Sequence, residues 1–393
     1  SAIKTANAAM KPIRGLGNKP AAKNQSSKAL FDLSLTDDQA MFKDTVMRFA
    51  EHVLRPVAEQ ADDDNSTPQN IRQQAHELGL HLASVPEALG GVGDWSPTTA
   101  AIIAESLAHG DMAMALAILS PMGVINALVA WGSLDQQREY LQPLLAEHAV
   151  ATSIAILEPQ PLFNPLNLST KAVQNNDGYL LNGVKSLVPL ATDAELFLIA
   201  AHLDNVGPQL FLVESDTPGV TVHAEPAMGL RAAGLGRVEL NNVTIKHSAL
   251  LGHRDKPFDY HGFLSRQLIG SSALAIGNSQ AVLDYVVPYI KERQAFGEPV
   301  ARRHSVAFMA ANIAIELDGM RLLTWRAASK AEQQQPFQEE AYLAHLQCAE
   351  KGMEIASNGV QLLGGHGFIK EHPAERWYRH ARGSALLSAG FVA

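Results

Sequence analysis

The chain has 393 residues, 47% hydrophobic and 18% charged, a balance ordinary for a globular enzyme and enough for two or three structural layers or subdomains. Its formal charge of -9 and sequence pI of about 5.9 argue against a nucleic-acid partner, which needs a basic face. A single cysteine, Cys348, excludes a disulfide framework or a Cys-rich metal site, and no metal-ligand spacing occurs.

Residues 1–30 carry Lys4, Lys11, Arg14, Lys19, Lys23 and Lys28 and no acidic residue. They lack a clear apolar face and read as a disordered basic tail, which favours the cytoplasm; the alternative is an organellar transit peptide and the mitochondrial matrix. Residues 34–62 read as a helix capped by Ser34 or Thr36, with Phe42, Val46, Phe49 and Ala50 at helical spacing. A second helix runs from Pro68 to Leu80 and ends at Gly79. A breaker-rich loop, Val85 to Gly93, follows, then Ala-, Ile- and Leu-rich buried helices over 97–132 and a short helix from Asp135 to Leu141. No apolar run is expected to reach the length of a membrane span.

Near residue 151 the pattern changes. Tyr179-Leu-Leu, Leu196-Phe-Leu-Ile, Leu210-Phe-Leu-Val, Val220-Thr-Val and Val238-Glu-Leu are short strand-like runs separated by Gly, Asn, Asp and Pro, as in a compact antiparallel β domain. After Pro257 helices return. Segment 263–292 is rich in small residues that let helices approach, and Pro288 is expected to kink or break it. Two more long helices cover 304–332 and 336–361, and a last one starts near Pro373. Cys348, flanked by Leu346, Ala349 and Met353, reads as a packing residue.

Two segments point to chemistry. Gln361-Leu-Leu-Gly-Gly-His-Gly-Phe368, followed by Arg376, Arg379 and Arg382, joins glycines that admit close backbone approach to cations suited to anions. Arg293-Gln-Ala-Phe-Gly297 is a second such element, and together they suggest a large phosphate-bearing ligand, bound between subunits. For Arg376 and Arg379 an interhelical salt bridge is an equal alternative to ligand contact, and for the glycines a plain helix-ending turn is the bland one.

This order and these motifs resemble the acyl-CoA dehydrogenase family of FAD enzymes from about Phe31 to Arg382. Early landmarks are Leu35-Thr-Asp-Asp-Gln39, Val85-Pro-Glu87, and Trp131-Gly132 before Gln136-Gln137. Glu158-Pro159, Asn182-Gly183, Lys185, Met228-Gly229 and Arg231 follow in the β region. Tyr289, Arg293, Phe296-Gly297, Gln361, Gly364-Gly365, Pro373 and Arg379 complete the set. The resemblance implies a mainly α fold with a central β domain: a tail over 1–30, an N-terminal helical domain over 31–150, a middle antiparallel β-barrel or sandwich over 151–256, and a C-terminal four-helix bundle over 257–393. It implies an acyl-CoA thioester substrate of fatty acid metabolism, with hydride transfer to FAD. Arg293 and Phe296 would meet the diphosphate and adenine side, and Gln361, Gly364 and Gly365, from a neighbouring subunit, would line the same cofactor. It also implies a homo-oligomer, dimer or tetramer, and an electron-transfer flavoprotein as acceptor if the chain is active.

The chain departs from that pattern at the chemistry. The family base, a glutamate, is replaced by Ser388, and its alternative position by Ser265, so no catalytic residue is assigned and turnover would lose at least about 10²–10⁴-fold. The Thr- and Ser-bearing loop after Glu158-Pro159 reads Gln160-Pro-Leu-Phe-Asn-Pro165. Leu187-Val188-Pro189 stands where a Trp-Ile-Thr segment packs on the flavin, a glutamine reaching the cofactor is His304, and a flavin-neighbouring threonine is Gly390. The expectation is FAD held in a partly eroded pocket, with His366 a hydrogen-bonding neighbour more than a base. The alternative is a silent subunit or binding scaffold in a hetero-oligomer with an active paralogue.

Overall fold

The computed structural model describes residues 34–93, 96–252 and 257–386; the basic tail, Ser388 and Gly390 lie outside the described residues. Thr36, not Ser34, starts the first helix, α1 (Asp37–Phe49): its hydroxyl accepts from Gln39 N–H while the Gln39 side chain accepts from Thr36 N–H. The expected continuous helix is interrupted by a π turn, Ala50–Leu54, before α2 (Arg55–Asp64). Pro56 has no N–H to give the His52 carbonyl, and the ladder widens so that Arg55 N–H reaches Ala50 instead. The next helix, α3 (Gln69–Glu77), ends as expected at Gly79, whose φ of 75° suits glycine.

Two core helices follow, α4 (Pro97–Gly110), capped by Ser96, and α5 (Met112–Trp131), capped by Asp111. The expectation that no apolar run reaches span length is corrected: α5 has 20 residues at a mean hydropathy of 2.0. It lies inside the molecule, 89% of its most apolar window buried by other parts of the chain. An irregular helical stretch, Leu134 to Leu144, leads into the β domain.

That domain is a 7-stranded sheet in the order β1-β4-β2-β3-β7-β6, with β5 on the free side of β4. Its strands are β1 (Thr152–Ala155), β2 (Lys171–Gln174), β3 (Gly178–Val188), β4 (Leu196–Leu203), β5 (Gly207–Glu214), β6 (Val220–Ala224) and β7 (Gly236–Lys246). The sheet is mostly antiparallel, but β4 pairs in parallel with both β1 and β2, which a purely antiparallel domain lacks. Sequence reasoning missed β1 and β2. All of β1 is buried and only Ala172 of β2 is, so neither shows apolar–polar alternation.

Inside the β domain, Lys185 Nζ sits 2.8 Å from Glu158 Oε1, with side chains 0% and 2% exposed. Lys185 also donates to the Ile156 carbonyl, and Glu158 accepts Ser169 N–H and Thr170 N–H. Burial lowers the Lys185 amine to about 8 against the pull of Glu158.

The C-terminal part is built on α6 (Tyr260–Glu292), which runs through Pro288 without the expected break. Pro288 has no N–H to give the Asp284 carbonyl, and Ile290 beyond it is buried. The small residues do bring helices close: a Cβ on Gly277 would lie 2.1 Å from the Glu105 carbonyl of α4. Then come α7 (His304–Glu332), α8 (Gln338–Leu363) and α9 (Ala374–Ser384). Cys348 lies in this core as a packing residue, its thiol pushed up to about 12 by burial, which hydrogen bonds to Thr324 and Ser272 only partly oppose.

Two outcomes are expected. Replacing Lys185 by Met strands a buried carboxylate and lowers unfolding free energy by about 3–5 kcal/mol in denaturant titrations; the Glu158→Gln/Lys185→Met double change costs less than the single one. At pH 8 Cys348 stays protonated and enclosed, so a thiol reagent reacts with native protein only as fast as the protein opens.

Candidate functional site

The last turns of α6 and α8 come together. Tyr289 Oη donates to the Leu363 carbonyl at 3.3 Å and lies 2.8 Å from His366 Nδ1. One turn after Tyr289, the chain leaves α6 as a hairpin of two-residue strands, Gln294–Ala295 and Glu298–Pro299. Directly after Leu363 comes the Gly364-Gly365 turn. The structure thus brings Arg293 and Phe296 to the same end of the bundle as Gln361, Gly364 and Gly365. His304 starts α7 nearby, exposed and stacked on Phe308.

This end is open. Arg293 and Gln361 are exposed, and the Arg293 guanidinium forms no ion pair among the described residues. Phe296 is 93% exposed in a left-handed conformation of φ 55°, with the Arg303 guanidinium 5.1 Å from its ring centre. Gly364 has φ 61°, and neither it nor Gly365 has an atom within 4 Å of where a Cβ would stand. Exposed backbone and a free guanidinium suit a diphosphate. His366 stacks on His372 at 4.9 Å and lies within hydrogen-bond distance of Tyr289 Oη.

A second feature lies between the β domain and α9. It is an open apolar cleft lined by Leu157, Leu187, Leu230, Leu235, Leu386 and Arg382. Its neighbour Arg379 faces inward to the protein. It holds Asp62 through Nη2 at 2.7 Å and Glu375 through Nε at 2.7 Å, so it is the interhelical salt bridge rather than a free cation. Arg376 is likewise paired, 3.3 Å from Asp111.

The cleft wall around Leu187 bears on cofactor fit. Leu187 N–H is spent on Glu225 at 2.6 Å, Pro189 has no N–H, and Leu190 N–H is spent on the Ala233 carbonyl. The diphosphate end of an FAD therefore fits the open bundle end. The cleft fits the flat apolar face of a ring, but these three residues offer its polar edge no donor. Ser265 is buried, its hydroxyl donating to the His261 carbonyl at 2.8 Å, so it too offers nothing. Sequence reasoning missed Glu225, Asp62 and His380 because their partners are remote in the chain. Only Asp111, one residue before a helix, carried a local signal.

Three family models match the chain: the acyl-CoA dehydrogenase N-terminal domain over residues 36–148, the middle domain over 153–243 and the C-terminal domain over 262–388. The chain is 31% identical over 357 residues to the short-chain specific acyl-CoA dehydrogenase, mitochondrial, of Mus musculus, covering 89% of this chain and 86% of that protein. It is 30% identical over 358 residues to the probable short/branched chain specific acyl-CoA dehydrogenase of Dictyostelium discoideum, with 89% and 86% covered. Among solved structures, butyryl-CoA dehydrogenase from Megasphaera elsdenii superposes with a TM-score of 0.84 at 26% identity, covering 91% of this chain and 96% of that one.

Because Tyr289 ties the two segments at the bundle end, Tyr289→Phe is expected to cost about 1 kcal/mol. It should also speed amide exchange across Gly364–Phe368 while leaving the β domain unchanged, as read by exchange mass spectrometry.

Proposed function

The chain belongs to the acyl-CoA dehydrogenase family, and from that premise we propose that it is an acyl-CoA dehydrogenase-type flavoprotein acting on an acyl-CoA thioester. The observation that carries this reading is the open bundle end, where Arg293, without an ion pair among the described residues, and the Gly364-Gly365 turn are tied together through Tyr289. Arg293 would neutralise the FAD diphosphate by its forked donors, and Phe296, Gln361 and His304 would border the adenine side. The leucine-walled cleft would take the flavin ring, with the acyl chain beside it. When bound, FAD supplies the acceptor for a hydride from the acyl β carbon; an electron-transfer flavoprotein would take the electrons onward.

The two positions where the resemblance implies the base for the α proton read Ser388 and Ser265, and a serine hydroxyl is no base at neutral pH. That observation favours one second reading: a silent subunit that binds the ligands and completes an oligomer with an active paralogue. Assembly in either case would use the exposed apolar rows of the bundle, Phe308, Ile315 and Leu322 on α7 and Tyr342, Leu343 and Leu346 on α8. The tail reading places the chain in the cytoplasm, whereas the Mus musculus relative is named mitochondrial, and cell fractionation decides between the two.

The purified protein is expected to be yellow, to gain melting temperature with FAD, and to lose roughly 10–100-fold in FAD affinity on Arg293→Ala, the worth of one charge-assisted contact. Colourless protein whose melting is indifferent to FAD defeats the flavoprotein reading. Turnover of an acyl-CoA panel with an artificial electron acceptor separates the active enzyme from the silent subunit. Activity gained only on Ser388→Glu supports the second.

A further inference from the structure

His380 has no exposed surface and meets groups from all three parts of the chain. Leu230 N–H, in the β domain, donates to its Nδ1 at 3.0 Å. A backbone N–H can only donate, so Nδ1 is the unprotonated nitrogen and the ring proton sits on Nε2. Nε2 lies 3.2 Å from Oδ2 of Asp111, the cap of α5 in the N-terminal part. Arg376, one turn earlier on α9, approaches the same carboxylate at 3.3 Å.

Leu230 is an unusual residue to hold. Its φ is 58°, a left-handed conformation that a non-glycine residue keeps only where its surroundings over-determine it. Those surroundings are consecutive turns of α9. Arg379 donates to the Met228 carbonyl at 3.1 Å. Gly229 crosses the Arg379 carbonyl so closely that a Cβ would stand 2.0 Å from it, and a Cβ on Gly383 would stand 2.6 Å from the Leu230 side chain. The Leu230 side chain in turn forms part of the cleft wall. Of these fastenings, the His380 bond alone satisfies a backbone donor of Leu230 itself.

We propose that His380 is a positioning residue of the cleft. Through Nδ1 it holds Leu230 N–H, and with it the Met228–Leu230 wall, in the shape that receives the apolar part of a ligand. Through Nε2 it serves the fold by satisfying Asp111. The two roles sit on different nitrogens and are separable. The ligand arm of the test rests on the flavoprotein reading; the exchange arm needs no ligand.

Asparagine can place an oxygen where Nδ1 stands, and glutamine can place an amide N–H₂ where Nε2 stands. His380→Asn keeps the acceptor for Leu230; His380→Gln keeps the donor for Asp111. The expected result is that His380→Asn binds FAD within a few-fold of wild type, whereas His380→Gln loses about tenfold or more, the worth of one wall-setting hydrogen bond. Flavin fluorescence on titration reads this without turnover. In exchange mass spectrometry the peptide containing Leu230 should be protected in wild type and in His380→Asn and exposed in His380→Gln. The opposite ranking, or equal loss in both, overturns the proposal. If wild type binds no FAD, the flavoprotein reading fails and the exchange ranking alone decides the role of His380. If neither variant folds, fast exchange at Leu230 in wild type overturns it and slow exchange supports it.

Discussion

A buried carboxylate, Asp111, is the constraint on which the arrangement of the three domains depends. Taking a carboxylate out of water costs several kcal/mol unless its lone pairs are filled. Here they are met from two directions: Ala113 N–H and Met114 N–H from the helix it caps, and a His380 hydrogen bond from α9, with the Arg376 guanidinium beside it as counter-charge. Burial by itself would raise the Asp111 carboxyl; His380, Arg376 and the Met114 bond outweigh it and hold the group below the ordinary carboxylate value. A helix cap in one domain thereby dictates where a helix of another must lie.

The cleft is shaped by a second set of contacts along the same helix, separate from that carboxylate. With α9 docked, Arg379 reaches Asp62 of α2 and the carbonyl of Met228, and Gly229 and Gly383 allow backbone and side chain to pass at close range. The leucine cleft is the space left between that fastened loop and the strand end at Leu187. Its walls are apolar because the strand-end donors are already spent, Leu187 on Glu225 and Leu190 on Ala233, and because proline stands between them.

The two ends of the candidate site differ in physical character. At the bundle end, cation, open glycine turn and exposed phenyl ring face solvent and are available to a charged partner. At the cleft wall the polar groups have been drawn into the fold, with Leu187 N–H bound to Glu225 and Arg379 to Asp62 and Glu375. The bundle end thus offers exposed cation and backbone, while the Leu187 strand end has its donors spent within the fold. That contrast underlies both the flavoprotein reading and its silent-subunit alternative.

Local chemistry was legible in the chain. Thr36 stands before a helix and caps it, Gly79 ends one, and the small residues of α6 foretell close helix packing, because each of these depends on neighbours a few residues away. The helical, β, helical order and the grouping of Arg293 with Gly364-Gly365 were readable for the same reason, through motif and spacing. Strands β1 and β2 were not, since full burial or a single buried residue erases alternation. The continuation through Pro288 was not either, since packing against distant helices sets it; the burial of the 97–132 helices was expected, but not that one of them reaches span length. Which arginines pair inward, which N–H groups are already spent, and which nitrogen of His380 faces Leu230 were decided only in three dimensions. Apart from Glu375, the partners in those interactions lie on other elements far off in the chain, and sequence periodicity carries no record of contacts made across such distances.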